Sequence, residues 1–282
     1  MPTLLSGRGL RARALRGTAR RRGSVVNGAD APHVLVIAGS DRLAYSGLEA
    51  DLRHLDAFGI AGWGVTTART VQSLDGFVSM DAVDAGTLDT ELEAAFETCP
   101  DAVKIGMLFG ADVVDRVADR IALARPSVVL DPVLASSSGQ PLIDDAGRSV
   151  LLSRLVPLAR LVTPNLEELS LLVPDIEDPA DAARALCDRG AQAVLVKGGH
   201  AEPASTVEDV LVMADDIVRW SGPRLPGVVP RGTGCALATV VAAGLARGAE
   251  LVDAVEAARA AVARGIEAAM SRGTRLLVLE AT

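Results

Sequence analysis

The sequence predicts one α/β domain with a mostly parallel sheet and helices on both faces. From about His33 onward, short apolar runs alternate with segments of helical periodicity. Several of those runs are continuous rather than alternating, the mark of strands buried on both faces. No linker-like stretch or internal repeat interrupts the series, and 282 residues are enough to bury a large core.

In order, His33–Ala38 (HVLVIA) reads as a strand. Gly47–Phe58 places Leu48, Leu52 and Leu55 on one helical face and stops at Gly59, a suitable C′ residue. Trp63–Ala68 reads as a strand, Thr87–Glu97 as a helix, Ala102–Met107 as a strand and Asp112–Ala124 as a helix. Val128–Val133 is the next strand, Ser149–Leu158 a helix, and Leu161–Thr163 a short strand ended by Pro164. Helices follow at Leu166–Leu172 and Pro179–Arg189, then the strand Ala193–Lys197. Val207–Met213 and Asp216–Ser221 flank Ala214-Asp215 as an antiparallel hairpin, and the chain closes with helices at Thr233–Ala246 and Leu251–Met270.

Composition narrows the function classes. Apolar residues make up 49% but aromatics only seven positions, so the core is built from Ala, Val and Leu. Residues 1–27 hold seven arginines and no acid; the rest of the chain carries 21 basic and 36 acidic side chains. So acidic a body argues against a nucleic-acid surface, which needs a basic stripe. Residues 1–30 read as a basic, disordered arm before a domain at 31–282, with an organelle presequence as the alternative; without an apolar h-region they are not a secretory signal. Three scattered cysteines and three histidines offer no zinc spacing and suit a reduced, cytoplasmic setting. The longest apolar run, Cys235–Ala246, is too short to span a bilayer.

Candidate chemistry gathers at strand ends and beside glycines. In Arg231-Gly232-Thr233-Gly234-Cys235 the glycines allow a tight turn at the start of an apolar helix, where consecutive N–H groups and the helix dipole attract an anion. An ordinary glycine turn before a core helix is the plain alternative. Cys235 falls in the first helical turn, where a thiol pKa is lowered, and reads either as a base or nucleophile or as a small buried residue. Lys197, one of only two lysines, ends a strand before Gly198-Gly199 and suits the phosphates of a nucleotide. Asn165 and Glu168 form a capping box or surround a hydrated Mg²⁺. Asp131 is a solvated strand end or a second metal-shell group, and Asp51 faces either solvent or a pocket. A dinucleotide oxidoreductase is disfavoured, because no GxGxxG follows the first strand.

Taken in order, these segments resemble the hydroxymethylpyrimidine and phosphomethylpyrimidine kinases of thiamine synthesis, in the ribokinase-like superfamily. The matches are Ala38-Gly39-Ser40-Asp41, Ala50-Asp51-Leu52, Thr66 to Gln72, Lys104 to Leu108, Leu130-Asp131-Pro132-Val133, Thr163 to Glu168, Lys197-Gly198-Gly199-His200 and Gly232-Thr233-Gly234-Cys235. The resemblance implies a three-layer α/β/α fold using ATP and Mg²⁺ to phosphorylate 4-amino-5-hydroxymethyl-2-methylpyrimidine, its monophosphate, or both. It implies that Gln72 and Asp51 bind the aminopyrimidine, with Met107 and Gly39 lining the pocket. Lys197, Asn165 and Thr233 would attend ATP, with Glu168 and Asp131 at the metal. Gly232, Thr233 and Gly234 would cradle the transferring phosphoryl group, with Cys235 as the base, and the molecule would be a homodimer. Two departures stand out: Arg42-Leu43-Ala44-Tyr45-Ser46 replaces a glycine-rich stretch, and Arg231 stands where His is usual. Pyridoxal or another ring alcohol as acceptor, and a non-catalytic ligand-binding paralogue, are the competing expectations.

Overall fold

A computed structural model describes residues 31–73, 76–136, 138–200, 206–225 and 230–281. The basic arm expected over residues 1–30 lies outside the described residues. Nine described strands form one sheet: β1 (His33–Asp41), β2 (Ala61–Ser73), β3 (Gly76–Ala82), β4 (Ala102–Ile105), β5 (Ser127–Leu130), β6 (Leu161–Val162), β7 (Ala193–Val196), β8 (Thr206–Met213) and β9 (Ile217–Pro223). Their spatial order is β3-β2-β1-β4-β5-β6-β7-β8-β9. The six central strands, β2, β1, β4, β5, β6 and β7, pair in parallel; antiparallel β3 closes one side, and the antiparallel strands β8 and β9 close the other.

Eight described α-helices cover the sheet: α1 (Gly47–Ala57), α2 (Ala85–Glu97), α3 (Ala111–Ala124), α4 (Asp145–Val150), α5 (Leu166–Leu172), α6 (Pro179–Asp188), α7 (Thr233–Ala246) and α8 (Leu251–Ser271). The period-2 alternation of buried strands feeds two cores. Leu35 and Ile37 of β1 pack with Leu88 and Leu92 of α2 and Val114 and Ile121 of α3. Val34 and Val36 turn the other way, onto Leu48 and Leu55 of α1, Val241 of α7 and Val255 of α8. This is the expected three-layer α/β/α architecture. No described helix is long and apolar enough to cross a membrane.

Three elements differ from expectation. The strand begun at Trp63 runs to Ser73, and Gly76–Ala82 returns beside it as β3, where no strand was expected. Asp131 and Pro132 lie beyond β5, which stops at Leu130; Pro132 has no N–H to extend the ladder. The helix expected over Ser149–Leu158 starts earlier, as α4, then widens into a π turn at Leu151–Leu155 and tightens into a 3₁₀ turn at Val156–Leu158, with Pro157 at the change.

Candidate active site

The parallel strands all run in one direction, so their C-terminal ends deliver polar residues to one rim of the sheet. Gly39, Ser40 and Asp41 close β1, Gly106 and Met107 follow β4, and Asp131 follows β5. Asn165 follows β6 and Lys197 follows β7; the two are bridged in parallel register, and the Lys197 N–H donates to the Pro164 carbonyl at 2.9 Å.

The start of α7 completes this rim. Gly232 is its N-cap, with φ +78°, and a Cβ there would lie 2.2 Å from the Tyr45 carbonyl oxygen. Both the left-handed backbone and the close approach demand glycine. No side chain caps the helix, so the first-turn N–H groups of Thr233, Gly234 and Cys235 face outward without a side-chain acceptor. A Cβ on Gly234 would lie 3.0 Å from Lys197 Nζ, which puts the ammonium beside those amides.

Lys197 Nζ donates to Asp131 Oδ1 at 2.7 Å and lies 3.9 Å from Glu168 Oε2. Asp131 Oδ1 also accepts from the Thr163 hydroxyl at 3.1 Å. Burial opposes the Asp131 charge, but Lys197 and Lys104 outweigh it and hold its pKa below the usual range. Burial likewise opposes the Lys197 charge, and Asp131 and Glu168 overcome it. Glu168 goes the other way: burial and repulsion from Asp131 push its pKa up to about 7 despite Lys197.

Asn165 and Glu168 form a reciprocal capping box. Asn165 Oδ1 accepts the Glu168 N–H at 2.7 Å, and Glu168 Oε2 accepts the Asn165 N–H at 2.8 Å. Helix α5 thus uses the Asn165 oxygen and one Glu168 oxygen; among the described residues Glu168 Oε1 makes no hydrogen bond.

Cys235 departs from the lowered thiol pKa expected of a helix N-terminus. Burial, Asp131 and Asp51 push it up and outweigh the two lysines, so the group is held as a neutral thiol.

Asp51, which the resemblance assigns to the pyrimidine, takes its hydrogen-bond partners here from Lys104 and Thr239. It is fully buried beneath α1. Its Oδ2 accepts from Lys104 Nζ at 2.6 Å and its Oδ1 from the Thr239 hydroxyl at 2.8 Å, so α1, β4 and α7 share one polar knot. Lys104 is the residue that motif reading missed. It lies inside an apolar strand, between Val103 and Ile105, and the strand alternation turns it to the α1–α7 side. Being the other lysine of two was the available signal. Burial opposes its charge, and Asp51 and Asp131 reverse the effect to hold the ammonium firmly.

On the opposite side, Met107 meets Ala68 and Leu142 in a small apolar cluster. A Cβ on Gly39 would lie 2.7 Å from Met107 Sδ, so these two residues pack directly against each other. Gln72 pairs its backbone with Phe77 in the β2–β3 hairpin; its side chain lies outside the described residues. The 42–46 loop is held by Asp41, which accepts the Leu43 N–H at 3.0 Å and the Ser46 N–H at 3.3 Å, and Ala44 turns with φ +53°.

Known proteins share this fold. The phosphomethylpyrimidine kinase family matches residues 41–278. A hydroxymethylpyrimidine/phosphomethylpyrimidine kinase of Rhizobium meliloti (strain 1021) is 37% identical over 241 residues, covering 83% of this chain and 90% of that protein. The crystal structure of phosphomethylpyrimidine kinase from Clostridium difficile 630 superposes with TM-score 0.74 at 29% identity, over 83% of this chain and 99% of that one. Pyridoxal kinase from Staphylococcus aureus, in complex with AMP-PCP and pyridoxal, gives TM-score 0.75 at 29% identity, over 84% and 88%. With a matching family over most of its length, and a lysine-flanked glycine cradle at the rim of a ribokinase-like sheet, the chain belongs to the phosphomethylpyrimidine kinase family, a family of phosphotransferases.

Proposed function

We propose that this protein transfers the terminal phosphoryl group of ATP to the hydroxymethyl oxygen of 4-amino-5-hydroxymethyl-2-methylpyrimidine, to the phosphate of its monophosphate, or to both. The observation that carries this reading is the uncapped start of α7 with the Lys197 ammonium against Gly234. Phosphoryl transfer needs chiefly positioning and charge stabilisation, which amides and an ammonium supply. The N–H groups of Thr233, Gly234 and Cys235 hold the equatorial oxygens as charge spreads over them. Lys197, fixed by Asp131, neutralises the phosphate on the nucleotide side. Gly39 and Met107 form the apolar wall against the ring, and Gln72 serves the ring's polar edge.

Cys235 is a protonated thiol in the resting site, so it can take the acceptor's proton only after its own has left; in a loose transition state the acceptor's proton departs late, after the bond to the leaving group is largely broken. A base this weak suffices where the transition state is loose. Asp51 acts through Lys104 and α7 rather than by touching substrate.

The donor set fits Mg²⁺ in the mode that uses few protein ligands. Glu168 offers one oxygen left over from the capping box, Asp131 stands across Lys197, and no described cluster of three His, Cys, Asp or Glu forms a closed cage. When bound, the cation neutralises phosphate oxygens. Exposed Val71, Val78 and Trp63 on the β2–β3 hairpin support a homodimer formed through that edge.

The likeness to a pyridoxal-bound kinase favours one competing reading, pyridoxal as the acceptor. ADP release by the full chain, measured with a panel of the pyrimidine alcohol, its monophosphate, pyridoxal and pyridoxamine, decides between them. Turnover of a pyrimidine at least about tenfold above either pyridoxal compound is expected. No pyrimidine-dependent ADP release would overturn the proposal.

A further inference from the structure

The two glycines of the cradle look in different directions. A Cβ on Gly234 would meet Lys197 Nζ, whereas one on Gly232 would meet the Tyr45 carbonyl oxygen. One flank is therefore bounded by Lys197, Asp131 and Glu168, and the other by the 42–46 loop. Arg231 belongs to the second flank. Its guanidinium carbon lies 5.9 Å from the centroid of the Tyr45 ring. Its backbone is tied away from the loop, donating to the Arg275 carbonyl at 3.1 Å and bridging to Leu276.

Arg231 meets no carboxylate among the described residues, although acids outnumber bases in this chain by 36 to 28. Other arginines, such as Arg116, Arg154, Arg219 and Arg259, are paired with acids. A guanidinium resting on an aromatic face keeps its charge and its planar fork of N–H donors free for an anion. Lys197 is already committed to Asp131 on the opposite flank.

We propose that Arg231 recognises an acceptor that already carries a phosphate, and that Tyr45 is the positioning residue that holds it in place. The inference rests on the pyrimidine-kinase reading and deepens it: of the two acceptors, the monophosphate is the one this chain favours. The cradle amides serve the phosphoryl group in transit. The phosphate already on the acceptor needs its own counter-charge on the loop side, and a bidentate guanidinium meets a phosphate better than a point charge does.

The test is steady-state kinetics of the full chain with the alcohol and with the monophosphate, varying ATP in each case. Wild type is expected to favour the monophosphate in kcat/KM. Arg231→Gln lowers the monophosphate-to-alcohol ratio of kcat/KM by about tenfold to a hundredfold, chiefly through the KM for the monophosphate. Arg231→Lys recovers part of that ratio. Tyr45→Ala shifts the ratio in the same direction, and Tyr45→Phe, which keeps the ring, restores it. If Arg231→Gln melts below the assay temperature, Arg231→Lys carries the test with a severalfold fall. A ratio unmoved by both Arg231 variants, an effect confined to the KM for ATP, or a wild-type preference for the alcohol overturns the proposal. A wild type that phosphorylates neither pyrimidine defeats the underlying reading instead, and that control separates the two failures.

Discussion

The Lys197 ammonium stands between the Asp131 and Glu168 carboxyls, and burial holds the Glu168 pKa near 7 instead of the ordinary 4.5. Between those values the folded protein keeps a proton that the unfolded chain has released. Its contribution to stability is therefore complete below about pH 4.5 and is lost as pH rises through 7. Glu168→Gln retains an acceptor for the capping box. The variant is expected to match wild type in thermal melts at pH 5 and to be more stable by about 2 kcal/mol at pH 8. The same carboxyl must lose its proton to meet a cation, so the Mg²⁺ concentration giving half-maximal rate in wild type should fall as pH rises from 6 to 7. Residues such as Lys197, Gly232 and Glu168 were legible in sequence because they stand at strand ends or helix starts beside Gly or Pro. The Cys235 thiol was legible as a position but not as a chemical state, since its pKa is set first by burial and then by Lys104, Asp131 and Asp51, which arrive from other parts of the chain.

Helix α1, strand β4 and helix α7 meet in the Asp51–Lys104–Thr239 knot, where both charged side chains are fully buried. Removing one partner leaves an uncompensated charge. Lys104→Met is expected to cost about 3–5 kcal/mol in urea unfolding, and the double variant Asp51→Leu/Lys104→Met to recover a large part of that loss. A loss no larger for the single variant than for the double would refute the pairing energetics. Periodicity left Asp51 on either face of α1, because it stands next to Leu52 at the edge of the apolar stripe; only the partner from β4 decides it. Helices α5 and α7 were readable to the residue, one from its capping box and the other from an unbroken apolar run after two glycines. Strand β3 was not. It mixes Ser79 and Asp81 with Val78 on an exposed sheet edge, where no periodic apolar face forms.

Across the whole molecule, the segment after α8 ties distant parts together. Leu277 and Leu279 are buried, and the Leu277 carbonyl accepts from Arg53 at 3.3 Å and faces His54 Nε2 at 3.5 Å. Burial and the neighbouring Arg53 lower the His54 pKa to about 4, so the folded protein holds this imidazole neutral. Here the unfolded chain binds the extra proton. The stabilisation is complete above about pH 6.5 and is lost, by about 3 kcal/mol, as pH falls toward 4. His54→Gln should melt with a shallower acid dependence than wild type between pH 6.5 and 4.5. The Glu168 slope opposes that of His54 over much of this range, so the comparison of each variant with wild type is the readout.

The bridge between Arg231 and Leu276 has a further consequence for how the protein is made. A ribosome delivers the glycine turn long before it delivers the segment that anchors it. A nascent chain paused ahead of Leu276 carries every cradle residue yet lacks the backbone tether at Arg231, so the turn is anchored only once residues 275 and 276 have been made.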